Sequence, residues 1–101
     1  MIGFQALPLH DAVLHRITIN WSGARAELSL SAFVDKDTLA VPHKLIFAEV
    51  KDVSCPHLSP WGDSNSINNT SVLSGEYKIE MQSGDVITVK CDDFEFINIA
   101  L

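Results

Sequence analysis

A chain of 101 residues with 47% hydrophobic and 20% charged side chains carries enough apolar content for one packed core and too much for a disordered polymer, so a single soluble domain over residues 1–101 is expected. Thirteen acidic against 7 basic side chains give a formal net charge of -6, which repels phosphate backbones and favours a basic protein partner over nucleic acid. No run approaches the ~18 apolar residues of a membrane span; the N-terminal stretch also lacks the basic flank of a secretory signal. The expected location is therefore the cytoplasm, without a membrane partner, and Cys55 and Cys91 are expected as reduced thiols.

Alternation with period two dominates the first third of the chain. Val13, His15, Ile17, Ile19 and Trp21 share one parity while Arg16, Thr18 and Asn20 share the other, the mark of a half-buried strand. Ser22-Gly23 turns the chain, and Ala26, Leu28, Leu30, Ala32 and Val34 repeat the pattern on even positions, which makes the pair a hairpin. Asp35-Lys36-Asp37 reads as a polar turn, and Pro42 argues against a central strand at that point. Lys44 to Val53 is apolar on both parities and reads as a third strand, buried on both sides or bulged. From Ser54 to Ser66 the pattern gives way to two prolines, a glycine and small polar residues. This is a loop, of a length that in compact domains often serves a function. Ile67 to Val72 reads as a short strand.

The hairpin around Gln82-Ser83-Gly84-Asp85 admits two registers, and side-chain chemistry separates them. A Ser83-Gly84 loop would set Glu80 against Ile87 and Tyr77 against Lys90. A Gln82-Ser83-Gly84 loop, with Gly84 left-handed in a bulge, instead sets Ile79 against Ile87, Tyr77 against Val89 and Glu76 against Lys90. The second register is expected, with Cys91 continuing the inward set. After an Asp92-Asp93 turn, Phe94 to Leu101 forms the last strand. Roughly six to seven short strands without a convincing helix point to an all-β fold, an antiparallel β-sandwich or a partly open barrel.

The chemistry-bearing residues are few. His10-Asp11 with His15 spaces its donors too widely along a strand to converge on a metal, and His43 at a strand start reads as a surface residue. Cys55-Pro56-His57 places a thiol two residues from an imidazole, with no neighbouring acid to orient the ring and no second close pair to complete a zinc site. No phosphate-binding loop, metalloprotease helix or nucleophile elbow occurs. The most distinctive stretch is Ser59-Pro60-Trp61-Gly62. Pro60 restricts Ser59 to extended geometry, Gly62 permits a sharp turn, and Trp61 is thereby aimed, either inward as a plug on one end of the core, the favoured role, or outward as a partner's anchor.

Leu9-His10-Asp11-Ala12 ahead of the first strand, Pro60-Trp61-Gly62 with Ser64 and Ile67-Asn68 in the middle, and Gln82-Ser83-Gly84-Asp85 near the end together resemble a family of small uncharacterised bacterial proteins over most of the chain. Some small acidic proteins of this kind resemble immunity proteins, which bind and neutralise a partner toxin. The resemblance implies an intact bacterial protein that starts at Met1, and it brings no catalytic residue. The leading expectation is a non-catalytic protein-binding module, either an immunity-like inhibitor of a basic toxin or an assembly factor. A rival is a small-molecule or enzymatic site at an open end of the β domain, lined by His10, Asp11, His57 and Trp61; a third reading is a homodimer through exposed strand edges. Candidate binding residues are His10, Asp11, His57, Pro60, Trp61, Gly62, Ser64 and Asn68, with no catalytic residue, metal or cofactor expected.

Overall fold

The computed structural model describes residues 3–34 and 39–100; the Asp35-Lys36-Asp37 turn lies outside the described residues. Among these, a 3-10 turn over Phe4–Ala6 precedes eight strands: β1 Val13–Asn20, β2 Arg25–Ala32, β3 Val41–Ala48, β4 Asp52–Ser54, β5 Ile67–Leu73, β6 Glu76–Met81, β7 Val86–Lys90 and β8 Asp93–Asn98. They form two four-stranded antiparallel sheets, ordered β1-β2-β3-β8 and β4-β7-β6-β5. The sheets stay separate and face each other as a β-sandwich.

Alternation explains which face each strand buries. In β2, Ala26, Leu28, Leu30 and Ala32 are all buried, and the pairing of Ala26 with Phe47 and Leu28 with Leu45 carries the same inner face onto β3. Phe94 and Phe96, opposite Phe47 and Leu45, continue it onto β8. The second sheet supplies Ile79, Met81, Ile87 and Val89. Their register is the one expected for a three-residue turn: Ile79 pairs with Ile87, Tyr77 with Val89 and Glu76 with Lys90. Gly84 takes φ +91, and the Met81 amide donates to the Asp85 carbonyl at 2.8 Å. Cys91 is buried beside this set.

Four local expectations need correction. The stretch from Lys44 to Val53 is not one strand. Strand β3 ends at Ala48, Glu49 turns with φ +54, and β4 joins the opposite sheet, so apolar residues on both parities reflect a chain that changes layers. Pro42 lies inside β3, which is central, opposite Ser31. Its carbonyl accepts from the Ile99 amide at 3.0 Å, so the missing N–H faces the same side, just past the end of β8, and the ladder between β2 and β3 is left intact. His43 is buried at 4% exposure, because its register opposite Leu30 places it on the inner face. There its ring stacks on Phe96 with centroids 4.6 Å apart, and Nδ1–H donates to the Val41 carbonyl at 2.8 Å. In β1 a bulge between Leu14 and Arg16 makes His15 the extra residue, bonded to the Ser31 hydroxyl at 2.9 Å. The inner face of β1 is therefore Leu14 with Ile17, and Trp21 beyond the strand is 92% exposed.

The N-terminal segment seals one end of the core. Phe4 is buried edge-on against Tyr77 and Phe94, with ring centroids 5.0 and 5.4 Å away. Leu9 and Ala12 are buried behind it. Hydrogen bonds from Asp11 N–H to the Ile67 carbonyl, Ile67 N–H to the Ala12 carbonyl and Leu14 N–H to the Asn65 carbonyl, at 2.8, 2.9 and 2.8 Å, then tie the start of β1 to the start of β5 across the two sheets.

Candidate functional site

The turn between β6 and β7 organises the long loop that β-sheet pairing leaves over. Gln82 donates its backbone N–H to the Ser66 carbonyl at 2.8 Å, and the Trp61 amide donates to the Ser83 carbonyl at 2.9 Å. Asp85, buried just after the turn, accepts from the Leu58 amide at 2.8 Å and the Ser59 amide at 3.0 Å. Ser83 adds its hydroxyl to the same carboxylate at 2.8 Å. These bonds, the Leu58 amide foremost, hold the Asp85 carboxyl below its ordinary value of 3.8 against the opposing effect of burial. A carboxylate that accepts several donors is stabilised in its charged form, and here that charge staples the loop.

The staple accounts for an unexpected backbone at Ser59. Instead of the extended geometry that a following proline favours, Ser59 has φ +51. Its amide is committed to Asp85, and its carbonyl accepts from the Gly62 amide at 3.0 Å, so local preference yields to two fixed hydrogen bonds. Gly62 follows with φ +109, the turn expected of it. Trp61 is consequently not a plug on the core. It is 67% exposed and lies across the turn, where a Cβ built on Gly84 would come within 2.7 Å of its ring and 2.8 Å of Pro60. Leu58, beside the stapled amide, is 82% exposed.

The candidate residues fall into three groups around this one turn. His10, Asp11 and Asn68 meet at the start of β5: His10 Nδ1–H donates to the Asn68 carbonyl at 2.7 Å, Gln82 Nε2 donates to Asp11 at 2.7 Å, and Asn68 Nδ2 donates to Glu80 at 2.7 Å. Pro60, Trp61 and Gly62 cover the tip. His57 and Ser64 line a cavity of about 260 Å³ together with His15, Cys55 and Asp85. His10, Asp11 and Trp61 are absent from its lining, so the four side chains named for a small-molecule site do not surround one cavity.

Cys55, His57 and Asp85 do share that cavity, yet the arrangement lacks an activated nucleophile. Burial pushes the Cys55 thiol up, which disfavours the thiolate that would react. Both oxygens of Asp85 already serve the loop and Ser83 rather than an imidazole. Among the described residues no group of three His, Cys, Asp or Glu side chains is placed to hold a metal ion. Asp85, Gln82 and Ser83 were missing from the sequence-derived site. Their signal was present as a Ser-x-Asp pair within a tight turn, which serves local capping far more often than it anchors a segment 26 residues away.

No known protein family matches the chain, and no curated protein does. Among solved structures, the fold is similar to that of an uncharacterised protein from Neisseria gonorrhoeae, with a TM-score of 0.55 and 13% identity over 86% of this chain and 90% of that one. The two chains share the sandwich. At that identity the likeness concerns architecture alone.

Proposed function

We propose that the protein is a non-catalytic protein-binding module that presents the loop between Ser54 and Ser66 to a partner protein. One observation carries the reading: Trp61 and Leu58, at 67% and 82% exposure, stand on a loop whose backbone is held from beneath by Asp85 and Ser83. Tryptophan is a preferred anchor at interfaces. An anchor held in place before binding avoids the ordering cost that a mobile loop would incur. The net charge of -6 favours a partner with a basic surface, which the field of the molecule would steer toward it. An immunity-like inhibitor of a basic toxin, acting in the cytoplasm, fits both features, and the family resemblance of the His10-Asp11, Pro60-Trp61-Gly62 and Gln82-Ser83-Gly84-Asp85 motifs points the same way.

Affinity capture from the source organism, run in parallel with the wild-type chain and a Leu58→Ala/Trp61→Ala variant, tests it. A stoichiometric partner held by the wild type and lost by the variant, at unchanged melting temperature, is the expected result. A partner that the variant retains in full would overturn the assignment of the loop as the contact surface.

A further inference from the structure

The two long sides of the sandwich differ. Where β5 and β8 are the sheet edges, Phe4 fills the gap between Tyr77 and Phe94 and Leu9 is buried at 1% exposure, so the N-terminal segment closes that side. Where β1 and β4 are the edges, two cavities open instead. The first, of about 260 Å³, has an apolar floor of Leu14, Ile17, Met81 and Ile87 with Arg16 beside it. The second, of about 470 Å³, is lined by Ile19, Trp21, Val50 and Val53 with Arg25 beside it. Residues 14–17 line the first and 19–21 the second, so the two cavities are successive parts of one groove along β1. Ile19 is 54% exposed in it.

The backbone and the charges of this groove agree on what would fill it. Strand β1 pairs with β2 and, at its first residue, bridges from Val13 to Ser66, and β4 pairs with β7. Among the described residues, the outer edge of β1 from His15 to Asn20 makes no backbone hydrogen bond to another segment. Both arginines of the chain, Arg16 and Arg25, flank the groove. Neither has a carboxylate at ion-pair distance among the described residues. Of the other charges that line it, Lys51 holds Asp92 at 2.6 Å and Asp85 holds the loop, while Asp52 lines the second cavity with no ion-pair partner among the described residues. In a protein of net charge -6, the lining of the two cavities sets Arg16, Arg25 and Lys51 against Asp52 and Asp85, a small positive excess.

We infer that the groove between β1 and β4 docks an extended segment of a partner protein, with apolar side chains directed inward and a carboxylate opposite each arginine. Arg25 pairs with Asn20 in the β1–β2 ladder, four positions beyond Arg16, or roughly 13 Å along the strand. An extended chain with Glu at positions i and i+4 matches that interval. Because i and i+4 share a face of a strand, the residues at i+1 and i+3 point the other way, toward the floor formed by Ile17 and Ile19. The free edge of β1 supplies main-chain bonds and the cavities supply side-chain pockets, the combination by which a strand is added to a sheet edge. The N-terminal segment provides an internal precedent, since it inserts Phe4 and Leu9 into the opposite gap.

The inference rests on the binding-module reading for the class of partner, but it concerns a separate surface, and the test keeps the two apart. The probe is a peptide of about seven residues with Glu four positions apart and Val or Ile at the intervening inward positions; its control has Lys in place of each Glu. Titration followed by backbone amide shifts and hydrogen exchange should show the Glu peptide protecting residues 15–20 and 52–54. Arg16→Glu with Arg25→Glu, both at exposed positions, should weaken that peptide by roughly tenfold or more, as expected for loss of charge-assisted bonds, and should gain affinity for the Lys peptide. Trp61→Ala should leave the peptide affinity unchanged. Equal binding of the two peptides by the wild type, or protection away from β1 and β4, would overturn the proposal.

Discussion

The carboxylate of Asp85 makes the loop's shape depend on charge. Because its folded pKa lies below 3.8, the stability it contributes is complete above that ordinary value and is lost as the pH falls from there through the lower folded one. Amide exchange at Leu58 and Ser59, corrected for intrinsic rates, should therefore accelerate below about pH 4 while the β2 and β3 amides stay protected. Asp85→Asn should produce the same local opening at neutral pH, since an amide retains one acceptor oxygen where the carboxylate used two. Exposed aromatics behave differently. Trp21→Ala, at a side chain 92% exposed, should change stability by no more than about 0.5 kcal/mol in thermal or urea unfolding.

At the level of elements, the β6–β7 hairpin combines a turn that local rules explain with a contact that they do not. Gly84 needs φ +91, which any side chain resists, and its missing Cβ is also what lets the Trp61 ring lie flat at 2.7 Å from where that atom would be. Gly84→Ala should cost about 1–2 kcal/mol and shift the Trp61 emission. Gly62→Ala meets nothing within 4 Å and should cost less. The register itself was legible, because only one alignment places Ile79 against Ile87 and Glu76 against Lys90. The 3-10 turn was not: Phe4 sits in a stretch with neither period, and only the gap between Tyr77 and Phe94 gives it a place. Phe4→Ala should destabilise by about 3–5 kcal/mol in denaturant unfolding, a large share of the stability of a small domain.

Across the whole molecule, charge and packing divide the surface. The strands at three of the sheet edges carry a charged residue, Arg16 in β1, Asp52 in β4 and Asp93 with Glu95 in β8, whereas β5 reads Ile-Asn-Asn-Thr-Ser-Val-Leu without one. Charge on an edge discourages indiscriminate pairing with other chains, and Arg16 on β1 restricts pairing there to a segment that brings a carboxylate. The uncharged edge is the one beside which the N-terminal segment runs, bonded through Asp11 and Ala12 to Ile67. If the net charge of -6 steers a basic partner to the loop, the association rate should fall as salt rises from 0.05 to 0.5 M, values that take the screening length from above about 10 Å to below it; stopped-flow measurement at several ionic strengths would show it.

Amino-acid order alone determined the all-β class, the β1–β2 and β6–β7 hairpins, the inward Cys91 and the irregular loop, because each follows from period-two alternation and turn chemistry within a few neighbouring residues. Tertiary structure decided the rest. His43, Pro42 and the break after Ala48 depend on which strand lies alongside and which sheet the chain enters next, and Trp61 stays outside the core because its amide is fixed to the Ser83 carbonyl and its ring lies against Gly84. The loop's conformation rests on Asp85, whose partners stand 26 and 27 residues before it. No local pattern encodes an interaction across that distance; it exists only once the sandwich has brought the turn beneath the loop.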